Sequence, residues 1–206
     1  MTTNTDLGHL GTHLSLRLTR LLSPASCRTL IERHDQAVVA GCVEQVSAKI
    51  IEECARAVFT DHLAALLRGH YPAGYQSLWP TYNVVDASPS RNSRWHLDSG
   101  IAGTLKLLIY LNPVAEHGAN TPTIDRERTE KLRANGALPL EHETRREDLT
   151  SDLKSLSLPT DILTHDLEAG DGLLFDPLRL AHRCQPPRAG KVRHSVCFTL
   201  VPGIRI

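Results

Sequence analysis

Residues 167–200 read LEAGDGLLFDPLRLAHRCQPPRAGKVRHSVCFTL. Short apolar runs in GDGLLFDP, LAHRC and VRHSVCFTLVP are separated by turns bearing glycine and proline. Short strands punctuated in this way point to a β sandwich or barrel. The same rhythm runs upstream through SLWPTYNVVD, RWHLD, GTLKLLIYLN and DILTHDL.

The N-terminal third differs. His13 to Leu22 alternates apolar and polar residues, with Leu14, Leu16 and Leu18 on one face, which predicts a strand. Ser23 is then an N-cap and Pro24 a first helical residue, ahead of an apolar stripe of Cys27, Leu30 and Ile31. Over residues 43–68, Val43, Val46, Ile50, Cys54, Ala57 and Val58 recur at helical spacing. Thr60 or Asp61 caps a second helical piece carrying Leu63, Leu66 and Leu67, and GHYPAGY at 69–75 is a loop. Residues 119–161 fit neither pattern. They are polar and rich in Arg and Glu, with a short helix expected in IDRERTEKLRANG. The segment reads as an insertion, either a solvated surface or a lid over the substrate. The expectation is one domain over 1–206, mainly β with N-terminal helices (α+β). A supporting strand and helices fill 1–70, and a β core fills 76–201 with the polar insertion at 119–161.

Composition narrows the function. The 206 residues are 41% hydrophobic and 22% charged, as in soluble globular proteins. No apolar run is long enough to span a bilayer. MTTNTDLGHLG has neither the basic nor the apolar region of a secretory signal, so a cytoplasmic location is expected. Lys+Arg and Asp+Glu balance at 23 each, which disfavours a dominant nucleic-acid-binding role. The five cysteines contain no C-x-x-C pair, so they read as buried free thiols rather than a disulfide framework or thiolate zinc site.

The eleven histidines carry the chemistry. In Trp95-His96-Leu97-Asp98, residues two apart on a strand point to one face, so His96 and Asp98 offer an imidazole and a carboxylate to one ion. Alone, that pair is common by chance in a histidine-rich chain. His182 in LAHRC and Arg193-His194-Ser195 in the last strand make it specific, with Arg193 and Ser195 sharing a face. Two histidines and a carboxylate form the facial triad of non-haem Fe(II) oxygenases, which leaves coordination positions open. A 2-oxo acid fills two of them and O₂ the third. The remote carboxylate of that acid needs a cation with fork geometry, which Arg supplies.

On these residues the sequence resembles the Fe(II)/2-oxoglutarate-dependent dioxygenases, whose H-x-D…H…R-x-S pattern stands here as His96, Asp98, His182, Arg193 and Ser195. LSPASCRTLI is similar to the opening helix of the prolyl 4-hydroxylase-like branch. LKLLIYLNPVAEHGANT is similar to that branch's Y-L-N strand and subsequent turn, and residues 167–200 to its closing block. The W-H-x-D and P-P segments also resemble phytanoyl-CoA dioxygenase-like proteins. The likeness covers about residues 20–35 and 76–201. Ala119 stands where the branch carries a second glycine, and no Y-x-x-G-x pattern lies between Tyr82 and His96.

The resemblance implies a double-stranded β-helix (jelly roll, cupin-like). It implies Fe(II) held by His96, Asp98 and His182, and 2-oxoglutarate held by Arg193 with Ser195 and Tyr110, with O₂ as co-reactant. Tyr110 shares a strand face with Thr104, Lys106 and Leu108. The expected activity is hydroxylation of an unactivated C–H bond of a small molecule, amino acid or peptidyl residue, releasing succinate and CO₂. Two alternatives stay open: a cupin-type metal enzyme that uses no 2-oxo acid, and a non-catalytic jelly-roll binding module. Trp95 reads as packing. His117, His142, His165 and His194 read as non-ligands, and Tyr82 and Asn83 lie on a strand that can line the pocket.

Overall fold

Ser23 accepts a hydrogen bond from the Ser26 amide at 3.0 Å and so caps α1 (Pro24–Ala40), which ends at Gly41 in the left-handed region (φ 71°). The computed structural model describes residues 14–88 and 90–203, so MTTNTDLGHLG and His13 lie outside the described residues. The long apolar periodicity after Gly41 divides into α2 (Val43–Val58) and α3 (Asp61–His70), breaking where Thr60 caps the second piece.

Strands β1 (Ser15–Leu18), β2 (Tyr75–Val85), β3 (Leu105–Tyr110), β4 (Gly172–Phe175) and β5 (Arg193–Pro202) form one antiparallel sheet in the order β1-β4-β3-β5-β2. Alternation sorts its residues between two faces. Leu105, Leu107 and Ile109 of β3 and Val196, Phe198 and Leu200 of β5 pack against Cys27, Leu30, Ile50, Cys54, Leu63 and Leu67 of the helices. Each buried leucine contributes about 1.5–3 kcal/mol. Lys106, Leu108 and Tyr110, together with Arg193, Ser195 and Cys197, face the other way. Leu16 and Leu18 join the helix-side core. Leu14, at φ 58°, joins the opposite cluster with Tyr110 and Phe175, so the three leucines do not share one face.

The β3–β4 pair is tied to β1 through the turn at Gly170, whose φ of 89° and close approach to the Leu22 carbonyl leave no room for a side chain. Asp171 closes the same turn, pairing with Arg17 at 2.7 Å and accepting from the Arg20 amide at 2.9 Å.

A second, shorter set of pairings lies across from the sheet. His96 bridges His182, His182 bridges Thr123, and Thr123 bridges Leu163. The bonds Ile124 N–H to the Ala181 carbonyl (2.9 Å) and Gln185 N–H to the Asn120 carbonyl (3.0 Å) extend it. Residues 120–124 therefore belong to this β layer, which moves the start of the insertion beyond them. A one-turn helix, α4 (Val114–His117), leads into the layer. Beyond residue 124 the insertion carries α5 (Arg126–Ala134) and α6 (Thr150–Ser155) and its own core. Ile124, Leu132, Leu149 and Leu153 close around Trp95 and Ala181. Arg128 pins the segment by donating to the Pro159 carbonyl at 2.9 Å and to the Asp161 carbonyl. Apart from buried Arg128, most of the charged residues that made this stretch look like loop sit toward its outside, while the buried leucines are spaced too widely for a strong periodic signal.

Candidate metal centre

The two histidines meet because their backbones do. Each donates its N–H to the other's carbonyl at 3.0 Å, so their side chains leave from one face of the short β layer. The rings lie 4.4 Å apart between centroids. Both are almost wholly buried, and Phe175 meets the His182 ring edge-on at 5.1 Å. Asp98, two residues beyond His96, points to the same face. Its N–H donates to the Pro177 carbonyl at 2.9 Å.

The imidazole nitrogens are assigned by their hydrogen bonds. His96 Nδ1 lies 2.8 Å from the Arg94 carbonyl and His182 Nδ1 2.9 Å from the Leu180 carbonyl. A carbonyl only accepts, so each Nδ1 carries the proton and each Nε2 keeps its lone pair. Those lone pairs face Asp98 Oδ1, at 3.5 Å from His96 and 3.7 Å from His182. Donors that share one ion at about 2.0–2.2 Å each lie within about 4.4 Å of one another. Asp98 Oδ1 lies inside that limit from both nitrogens, and all three atoms lie within 4.8 Å of one another, an arrangement that suits a cation. Burial pushes the Asp98 carboxyl up, but the Lys106 ammonium on it helps hold it well below the usual carboxylate range. Burial keeps the His182 imidazole neutral. Lys106 Nζ grips the outer oxygen, Oδ2, at 2.5 Å and fixes the carboxylate's orientation. Sequence reading placed Lys106 on this face but gave it no role.

His96 and His182 line a cavity of about 330 Å³ between the sheet and the short β layer, with Asp98 Oδ1 against both rings. Arg193 lines it as well and is 4% exposed. Its guanidinium lies over the Tyr110 ring at 5.4 Å, donates Nη1 to the Asn120 carbonyl (3.3 Å), and sets Nη2 3.0 Å from Cys184 Sγ. Arg193 Nε and Ser195 Oγ are buried with no protein partner. Buried donors left unmet are costly, and an anion in the cavity that Arg193 lines would satisfy its free N–H. Tyr110 is fully buried and shares a hydrogen bond between its hydroxyl and Thr121 Oγ1 at 2.9 Å; Thr121, not Tyr110, lines the cavity. Tyr110 thus supports Arg193 from behind.

The remaining candidates divide between the two faces. Asn83 lines the cavity. Tyr82 turns to the helix side, where its ring stacks on His34 at 4.3 Å and its hydroxyl meets His194 Nδ1 at 3.0 Å. His117 is buried against the Asn112 carbonyl, and none of His117, His142, His165 and His194 joins the group at Asp98. Trp95 is 1% exposed and packs into the insertion's core under the Arg183 guanidinium. The buried-thiol reading fits Cys27 and Cys54, whereas Cys184 and Cys197 line the cavity.

No family model and no curated protein matches the sequence. The fold does have solved counterparts. Iron-bound HygX of Streptomyces hygroscopicus superposes with a TM-score of 0.62 at 14% identity, covering 99% of this chain and 88% of HygX. The non-heme alpha ketoglutarate dependent carbocyclase SnoK of nogalamycin biosynthesis gives 0.65 at 12% identity, over 98% and 84%. The non-heme monooxygenase ThoJ gives 0.67 at 14%, over 96% and 77%. The chain shares the mixed helix and antiparallel-sheet, cupin-like fold of these proteins.

Proposed function

We propose that this chain is an Fe(II)- and 2-oxoglutarate-dependent oxygenase that acts on a small molecule. One observation carries the reading. Two Nδ1-protonated histidines and one carboxylate turn their free donor atoms to a single point, and the same cavity wall holds a buried guanidinium with an unmet N–H. The donor set is the one that suits non-haem Fe(II). His96, Asp98 and His182 would hold the ion, with Lys106 keeping Asp98 in orientation. Arg193 Nε and Ser195 Oγ would take the far carboxylate of 2-oxoglutarate, with Tyr110 and Thr121 bracing the arginine.

Bound there, Fe(II) with 2-oxoglutarate and O₂ supplies the oxidising power for an unactivated C–H bond, with 2-oxoglutarate decarboxylated to succinate. The protein's own part is to bind, orient and exclude water. Burial keeps the His182 imidazole neutral and available as a donor. Leu108 and Phe175 give the cavity apolar wall, which would limit water beside the ion.

The reading extends to one jelly-roll domain, with residues 1–70 supporting a core over 76–201. The LSPASCRTLI helix and the Y-L-N strand speak for the prolyl 4-hydroxylase-like branch. Small-molecule substrates fit better than peptides. HygX is solved with hygromycin B and the epimerase SnoN with nogalamycin RO. The solved counterparts include a carbocyclase and an epimerase, so hydroxylation is tested by product mass. The deciding assay is succinate formation from 2-oxoglutarate by the Fe(II)-loaded chain under O₂. Succinate that depends on iron and on Arg193 is the expected result. Iron binding without it would favour a cupin-type enzyme that uses no 2-oxo acid.

A further inference from the structure

Trp79 sits where the pairing of β2 with β5 slips. Leu78 pairs with Thr199 and the next register is Thr81 with Cys197, so β2 uses one more residue than its partner over this step. Trp79 and Pro80 occupy the bulge, where proline's missing N–H costs no ladder bond. In a regular strand Trp79 would follow chamber-facing Leu78 onto the helix side. The bulge turns it back, and Thr81, Asn83 and Val85 keep the chamber face beyond it. Trp79 lines the same cavity as His96, His182 and Arg193. It does so at φ 45°, a conformation bulky residues avoid, and with 76% of its surface exposed. The other tryptophan, Trp95, is 1% exposed.

A strained backbone and an uncovered indole at the rim of a functional cavity have no packing explanation. We infer that Trp79 is a stacking platform that selects substrates presenting a ring with a flat apolar face. The proposal rests on the oxygenase reading and adds the substrate class. Two ring chemistries share that face: a fused aromatic system and the C–H face of a pyranose. Leu78 and Val85 offer neighbouring apolar surface, and Thr81, Asn83 and Thr199 offer hydroxyl and amide groups to ring substituents.

The test is calorimetric titration of the Ni(II)- and 2-oxoglutarate-loaded full chain with alizarin, the aromatic probe, and with maltotriose, the pyranose probe. One of the two is expected to bind, with Trp79→Ala weakening it by about tenfold or more and Trp79→Phe keeping most of the affinity. Failure of both probes to bind, or equal binding by wild type and Trp79→Ala, would overturn the platform. Succinate formation by the wild-type chain is measured alongside. Trp79-dependent ring binding without succinate would refute the oxygenase reading and leave the platform standing. Succinate without such binding would refute the platform alone.

Discussion

Arg193→Lys tests the proposed cosubstrate contact while keeping the charge. The native guanidinium is 4% exposed and does three things at once. It donates to the Asn120 carbonyl, approaches Cys184 Sγ, and keeps a buried Nε without a protein partner. It also lies over the Tyr110 ring. A lysine ammonium is a single point charge and cannot keep the wall contacts while presenting a fork to a carboxylate. Losing one charge-assisted hydrogen bond costs about 1.5–3 kcal/mol. At about 1.4 kcal/mol per decade, that is roughly a 10–100-fold weaker hold on 2-oxoglutarate. The assay pairs calorimetric binding of 2-oxoglutarate to the Ni(II)-loaded chain with KM in succinate formation. Both should rise together, with kcat at saturating cosubstrate changing far less. Ni(II) binding must persist in the variant, which separates a local effect from unfolding. An unchanged 2-oxoglutarate affinity would refute the assignment of Arg193.

Metal addition should raise the melting temperature. Ni(II) at about 100 times its dissociation constant stabilises by about 2.7 kcal/mol, or roughly 5–10 °C for a chain of this size, and His96→Ala should abolish the shift in a thermal melt. Trp95→Ala removes the side chain on which the insertion packs, at about 3–5 kcal/mol, and should lower the urea midpoint and weaken Ni(II) binding together. The metal-free protein should lose stability in mild acid. Burial pushes the imidazoles of His117, His182 and His194 down, whereas in the unfolded chain they take up protons near pH 6.5. Below that pH the unfolded state binds more protons than the native one. Stability is therefore full above about pH 6.5 and falls as pH drops, by up to about 1.4 kcal/mol per unit for each imidazole. A urea midpoint that stays flat between pH 7 and 5 would contradict this.

The parts of the site legible in the sequence were those set by strand period. His96 and Asp98 share a face because they stand two apart, and Lys106, Leu108 and Tyr110 do so for the same reason. The helices were legible from Ser23-Pro24 and from the apolar stripe after Cys42. Three features escaped. The bulge at Trp79-Pro80 changes which residues face the cavity, and one extra residue leaves no mark on hydropathy. Tyr82 went to the helix side, a choice decided by the phase of β2 after that bulge. The pairing of residues 120–124 with 181–185 joins segments remote in the chain through single bridges, with no periodic run to announce them.

The mutual amide bonds of residues 96 and 182 have a consequence for how the protein matures. A nascent chain that has exposed only the first histidine and its neighbouring aspartate owns two thirds of a grip and no partner strand to complete it. Capture of the ion therefore comes after the late segment has docked, so loading reports completed folding. On the proposed reading, a cell short of the metal would hold folded chains that await the ion.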